Sequence, residues 1–301
     1  LGTPWPAGRA AEDTVAPTTA QAARLTSAQI GALTTAQLAA FETEDLAQIA
    51  PSSLQALGSA QLAALSTRQV AALSTGAIGA LSPTALKGLG TEDIVALTTA
   101  QAARLSAAQI AALGTAQIAA LETADIAQLS VSAMAGLGTA LMPSLGTAQI
   151  RALSTAQIAA LSSAAIAGLT TRQIAALSTA QVAALSGAAV AALGSAQLAA
   201  FGTAQIEALS STVIPMLSTA ALRGMETADV DALTGAQVAR LGSAQIQALS
   251  AAQIAALDAA DVAQLAPAAM AGIGAVQMAA FGTGQIAALG TGAVAGLTTA
   301  A

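Results

Sequence analysis

The chain contains no cysteine and no histidine, and charged residues make up only 8% of it. Disulfide bonds, thiol nucleophiles and imidazole chemistry are therefore excluded, together with the usual nitrogen and sulfur ligands of zinc. No nucleophile, base and polar pocket converge in the sequence. We expect a protein that is not an enzyme, with no catalytic, cofactor-binding or metal-ligating residues and no cofactor.

Basic residues and long apolar runs are also scarce. The nine Lys and Arg residues are scattered singly, so no basic stripe is available to neutralise phosphates, and we expect no binding to nucleic acid. Residues 174–206 contain no charge, but Ser, Thr, Gly or Gln interrupts them every few positions. No apolar run approaches the roughly 20 residues of a spanning helix, and we expect no membrane-spanning segment.

What the sequence does contain is an eight-residue period. Every eighth residue from Leu25 to Leu297 is large and apolar, and the octad reads Leu, Ser/Thr/Gly, Thr/Ser, Ala, Gln, Ile, Ala, Ala, as in Leu153 to Ala160. Position 6 is Ile, Leu, Val or Met except at Ala102. The pattern predicts one domain, an octapeptide-repeat solenoid over residues 17–301, after a degenerate lead or cap over residues 1–16. Position 1 is Leu except at Phe41, Ile49, Phe201, Met225, Ile273 and Phe281.

The octad fits neither a strand nor a continuous helix. Positions 1 and 6 have opposite parity and would face opposite sides of a strand, whereas in an unbroken α-helix the Leu stripe would drift by about 80° per octad. Ser or Thr at position 2 with Gln or Asp at position 5 is the pattern of a capping box, and it places positions 1 and 6 as a hydrophobic staple. We predict an all-α superhelix of capped helices, each about six residues long.

Prolines, charges and glycines support this register. Pro51, Pro83 and Pro267 fall at position 3, the predicted first helical residue, where proline is tolerated. Pro143 and Pro215 fall at position 7, where we expect distorted or shortened helices. Most acidic residues lie at positions 2 to 5, as the helix dipole favours. Glycines at position 8 are interpreted as helix ends; they are Gly88, Gly136, Gly168, Gly224, Gly272 and Gly296.

Three features could carry a site. The carboxylates of Glu42, Glu44 and Asp45 could be imagined as a calcium or catalytic site, although they lack the spacing of a calcium loop and first-turn acids explain them. The Ser and Thr residues at positions 2 and 3 could form a ladder that binds ice or a polysaccharide, although capping also explains position 2. Trp5, between Pro4 and Pro6, could be a recognition tip, could cap the end of the core or could belong to a disordered lead.

Two resemblances follow from these motifs. Residues Leu169 to Ser178 resemble the first helix of transcription-activator-like effector repeats, but the second helix and the base-reading loop are missing, so DNA binding does not carry over. The tract from Pro17 onward resembles the Ala/Thr/Gln-rich repeat arrays of very large bacterial secreted or surface proteins, which are described as adhesin-like. That resemblance implies a structural, extracellular or cell-surface role.

The sequence thus favours a structural protein that acts as a rod, a stalk or a self-associating fibre subunit. Leu1 is in phase with the octad, which we interpret as a cut through a longer tract, and the last repeat ends without a polar cap. With three or four octads per coil, the rod would be on the order of 100 Å long. The alternative is a repetitive binding module that presents its Ser/Thr ladder to ice or polysaccharide.

Overall fold

The computed structural model describes residues 17–298 and contains short helices and no strands within that range. By its internal contacts the chain consists of unit 1, Leu1–Leu153, and unit 2, Ser154–Ala301. The all-α prediction with one short capped helix per octad is confirmed. The predicted lead over residues 1–16, including Trp5, and the chain end at residues 299–301 lie outside the described residues.

Unit 1 contains the α-helices α1 Thr19–Ala22, α2 Ser27–Ala32, α3 Thr35–Ala39, α4 Thr43–Gln48, α5 Pro51–Leu54, α6 Ser59–Leu62, α7 Thr67–Ala72, α8 Thr75–Ala80, α9 Pro83–Leu86, α10 Thr91–Ala96, α11 Thr99–Ala102, α12 Ala107–Ala112, α13 Thr115–Ala120, α14 Thr123–Gln128 and α15 Thr147–Ala152, and the 3-10 helices Val131–Gly136 and Met142–Ser144.

Unit 2 contains α16 Thr155–Ala159, α17 Ser163–Gly168, α18 Thr171–Ala176, α19 Thr179–Ala183, α20 Gly187–Ala191, α21 Ser195–Leu198, α22 Thr203–Ala208, α23 Thr219–Leu222, α24 Thr227–Asp231, α25 Gly235–Val238, α26 Ser243–Ala248, α27 Ala251–Ala255, α28 Ala259–Val262, α29 Pro267–Met270, α30 Ala275–Ala279, α31 Thr283–Ala288 and α32 Thr291–Ala295, and the 3-10 helix Ser211–Met216.

A two-residue corner separates one helix from the next. In a representative octad, Leu113 (φ −65°, ψ 148°) and Gly114 (φ −80°, ψ 165°) are extended, and α13 begins at the next residue. The Ile118 N–H donates to the Gly114 carbonyl at 3.0 Å, and the Leu121 N–H donates to the Ile118 carbonyl at 3.3 Å. These bonds satisfy backbone groups at both ends of a helix too short to be stable alone.

Within each unit, a helix packs against the third helix before it. In unit 1 the series α4, α7, α10 and α13 stacks in this way, and in unit 2 so does the series α16, α19 and α22. The large apolar residues at positions 1 and 6 are buried through most of residues 17–298; Leu113 is 3% and Ile118 0% exposed, whereas Ile286 near the C-terminal end is 45% exposed. Each such side chain contributes about 1.5–3 kcal/mol, so stacking supplies the stability that the short helices lack.

The prolines behave as the octad register predicts. Pro51, Pro83 and Pro267 are each the first residue of their α-helix. Pro143 and Pro215 lie in the 3-10 helices Met142–Ser144 and Ser211–Met216, because in an α-helix the proline ring would clash with the carbonyl four residues earlier. The predicted distortion is confirmed at both sites. The third 3-10 helix, Val131–Gly136, contains no proline and was not foreseen.

The interpretation of the position-8 glycines as helix ends was incomplete, because close packing is what requires them. None of these glycines with a described environment has the positive φ of a left-handed cap. A Cβ on Gly88 would overlap the Ser59 carbonyl, and one on Gly224 would overlap the Ser195 carbonyl. Each overlap is with the backbone 29 residues earlier, so the helix end contacts the first residue of the helix three octads before. The same steric conflict occurs at Gly136, Gly272 and Gly296.

Candidate functional site

The position-5 glutamines form a ladder that joins successive coils, and we call them the glutamine ladder. In α11 the Gln101 Oε1 accepts the Thr98 N–H at 2.7 Å, as the capping box predicts. The Gln101 Nε2 also donates to the carbonyls of Val70 at 2.9 Å and Leu73 at 2.7 Å. These carbonyls are 31 and 28 residues earlier, at a corner of the coil beneath. One side chain therefore caps its own helix and binds the previous coil.

The same pair of bonds recurs in both units. Gln109 donates to Ile78 at 2.8 Å and Leu81 at 2.9 Å, and Gln205 donates to Ile174 at 3.0 Å and Leu177 at 2.7 Å. These bonds span 28 and 31 residues, so one coil takes between three and four octads. Bonds at both separations are also made by Gln61, Gln117, Gln149, Gln197, Gln237, Gln245, Gln253 and Gln285.

The octad pattern predicts that these glutamines cap their own helices, but not that they bond to the previous coil. One feature of the sequence does indicate this second role. Gln61 and Gln117 follow Gly58 and Gly114, which have no hydroxyl to complete a capping box, yet glutamine is still present. Its amide Nε2, which capping does not use, has a separate role in holding the stack.

Stacking also arranges the exposed threonines at position 3 into columns. Thr43, Thr67, Thr91 and Thr115 begin the stacked helices α4, α7, α10 and α13, and each is half-buried or exposed. We call residues at such 24-residue intervals threonine columns. A second column in unit 1 contains Thr75, Thr99, Thr123 and Thr147, and one in unit 2 contains Thr155, Thr179, Thr203 and Thr227. The remaining stacked series of helices in unit 1 carries Ser59, Pro83, Ala107 and Val131 at the equivalent positions.

The position-2 hydroxyls are used mainly for capping. The Ser154 Oγ accepts the Gln157 N–H at 3.2 Å, and the Thr170 Oγ1 accepts the Gln173 N–H at 3.2 Å. The predicted Ser/Thr ladder therefore divides into a capping row at position 2 and the threonine columns at position 3. Within residues 17–298, the threonine columns present hydroxyl and methyl groups that take no part in capping.

The carboxylates of Glu42, Glu44 and Asp45 point in different directions. Glu42 and Glu44 are exposed, whereas Asp45 occupies the inward position 5 and is 3% exposed. The Glu44 backbone N–H and the Thr43 hydroxyl, 2.9 Å from its Oε2, lower the pKa of the Glu44 carboxyl. No group of three Asp or Glu side chains in residues 17–298 is placed to hold a metal ion. This arrangement is that of ordinary acids in a first helical turn.

None of the helices described between residues 17 and 298 has the length and apolarity needed to cross a bilayer. A search of curated proteins gave no match. The profile of the ALTTAQ repeat, by contrast, matches in tandem over residues 38–211 in overlapping copies and again over 214–243 and 254–291. Residues 96–101 read Ala-Leu-Thr-Thr-Ala-Gln, the letters of that description, with Gln101 of the glutamine ladder at the end, and residues 152–157 differ only by Ser154. The chain therefore belongs to the ALTTAQ repeat family.

Proposed function

We propose that this repeat protein is structural and serves as a rod, a stalk or a self-associating fibre subunit at the surface of a bacterium or outside it. The glutamine ladder is the observation that best supports this role. Each octad packs on the previous coil through its large apolar residues at positions 1 and 6, and many octads add a glutamine amide bond, so similar contacts are repeated with every added coil. Such an array provides length and stiffness without a specialised site.

Self-association is favoured by the surface. Charged residues form only 8% of the chain, so little electrostatic repulsion opposes lateral contact between copies. Exposed small residues such as Ala116 and Ala148 at position 4 allow close approach. We propose no nucleic-acid partner and no catalysis, because the sequence has no basic stripe, no cysteine and no histidine.

Sedimentation and electron microscopy over a wide concentration range test this proposal. Concentration-dependent filaments would support the fibre role. Changing Ala116 and Ala148 together to Glu should weaken assembly and leave the helical circular dichroism intact, since acids are tolerated in the first turn. A strictly monomeric profile at high concentration would contradict self-association, and a monomer with the frictional ratio of a globular protein would contradict the rod as well. Protease accessibility on intact cells tests the surface location.

The threonine columns favour a second candidate, a binding module for ice or polysaccharide. Coils of packed helices are about 8–10 Å apart, so a column presents hydroxyl and methyl groups at a regular interval to an ordered ligand. Thr67→Lys with Thr91→Lys should abolish binding to the lattice, whereas Ser59→Lys with Ala107→Lys, in the stacked series without a threonine column, should not. Equal effects of the two pairs, or binding lost only together with helicity, would contradict this candidate.

A further inference from the structure

Asp125 occupies a position of the glutamine ladder that a carboxylate does not suit. It is position 5 of its octad and lies in the first turn of α14, with 2% of its surface exposed. Its Oδ2 has no hydrogen-bond partner within the part of the chain that the structure describes. A buried acceptor without a donor is costly. Something other than the ordinary ladder bonds must satisfy this carboxyl.

The ladder geometry shows what lies opposite. Residues 28 and 31 positions before Asp125 are Leu97 and Ile94, the counterparts of the corner carbonyls that Gln101 and Gln109 bind in their own octads. An ionised Asp125 would direct a negative acceptor toward two carbonyl oxygens, which are acceptors too. A glutamine in this place would donate, and a protonated aspartic acid also can.

Charged residues lie on or next to α14, its packing partners α11 and α15, and α10. Glu122 precedes α14 in its own octad, and α11, on which α14 packs, has no titratable residue and is followed by Arg104. The helix α15, packed against α14, carries Arg151, and α10, which leads into the Leu97 corner, carries Glu92 and Asp93. Burial raises the pKa of the Asp125 carboxyl and the negative charge of Glu122 raises it further, while the Glu122 N–H lowers it.

We propose that Asp125 is a proton-dependent joint between coils, in which the protonated carboxyl donates to the Leu97 carbonyl and replaces the missing glutamine amide. Ionisation removes that donor and leaves acceptors facing one another. Aspartate is one methylene shorter than glutamine, so a direct bond draws the start of α14 toward the corner by up to about 1.5 Å. The joint tightens in acid and loosens as the pH rises.

The sign of the pH dependence follows from linkage. A carboxyl whose pKa is higher in the folded than in the unfolded state binds more protons when folded. Its contribution to stability is fully present below the unfolded pKa, about 3.9, and is lost as the pH rises through the folded pKa.

Thermal unfolding of the wild-type chain and Asp125→Gln between about pH 4 and pH 8 tests the proposal. Asp125→Gln restores the amide donor, so we expect it to melt higher than wild type at pH 7 by about 2–4 °C, the shift of roughly one hydrogen bond in a unit of this size. The gap should shrink toward zero near pH 4. A gap independent of pH, as for a carboxylate bridged by water, would overturn the proposal.

The reciprocal change keeps the test decisive if Asp125→Gln folds poorly. Gln117 is a ladder residue of α13, 9% exposed, whose amide donates to the carbonyls of Leu86 at 3.0 Å and Leu89 at 2.8 Å. Gln117→Asp should melt below wild type at pH 7 and regain stability on acidification. Carbon-detected NMR identifies the Asp125 carboxyl of the wild-type chain as the signal that is missing from the spectrum of Asp125→Gln. We expect the midpoint of its pH titration to lie above 3.9. A midpoint at or below that value would also overturn the proposal.

Discussion

Replacing Gln109 tests how much one rung of the glutamine ladder contributes. Its side chain is 2% exposed. Its Oε1 accepts the Ser106 N–H at 2.8 Å, and its Nε2 donates to the Ile78 and Leu81 carbonyls at 2.8 and 2.9 Å. In Gln109→Ala all three bonds are lost and the buried carbonyls are left without that donor.

The magnitude follows from these three bonds. Each is worth about 0.5–1.5 kcal/mol net, so Gln109→Ala should lower the free energy of unfolding of unit 1 by about 2–4 kcal/mol. Gln109→Glu keeps the shape and the bond from Ser106, but at neutral pH it turns a negative oxygen toward two carbonyls. We expect it to be at least as destabilising at pH 7 and to recover part of the loss when protonated.

Urea denaturation followed by circular dichroism measures both changes. Gln128→Ala is the matched control, because Gln128 is the exposed last residue of α14, and its effect should stay within about 0.5 kcal/mol. In hydrogen exchange, the amides of Gln109→Ala that are less protected than in the wild-type chain should lie in α12 and at the corner between α8 and α9. A Gln109→Ala chain as stable as Gln128→Ala would refute the role of the ladder in stacking.

Two further predictions concern close packing and the apolar core. Gly88→Ala should destabilise unit 1 despite the better helix propensity of alanine, because the new Cβ would overlap the Ser59 carbonyl. A Cβ on Gly79 would meet its nearest atom at 3.5 Å, so Gly79→Ala should stabilise unit 1 by about 0.5–1 kcal/mol. Equal melting temperatures of the two variants would contradict this steric argument. Leu161→Asp places a charge in unit 2 at a site that is 4% exposed, and it should lower both the helicity and the melting temperature. Ala156→Asp, at an exposed position in a first helical turn, should leave both nearly unchanged. An unchanged melting temperature of Leu161→Asp would count against a buried stack.

Local structure could be predicted from the octad because capping, proline tolerance and the hydrophobic staple act within eight residues. Helices therefore begin where the sequence places them, as at Pro51 and Pro83. The number of octads per coil could not be predicted in this way, since an eight-residue period is the same whichever coil lies beneath. The second function of Gln101, the steric need for Gly88 and the alignment of Thr67 with Thr91 all depend on that number, and only the structure shows them.

A cross-linking experiment tests the stacked coil most directly. The native chain has no cysteine, so an introduced pair forms the only disulfide within a molecule. A Cβ on Gly79 would lie 3.7 Å from the Arg104 Cβ, one coil later, which is within the range for a disulfide. We expect Gly79→Cys with Arg104→Cys to oxidise readily, and pairs of Gly79→Cys with Ala96→Cys or Ala112→Cys, one octad nearer or farther, to remain reduced. Preferential oxidation of either control pair would contradict a coil of between three and four octads.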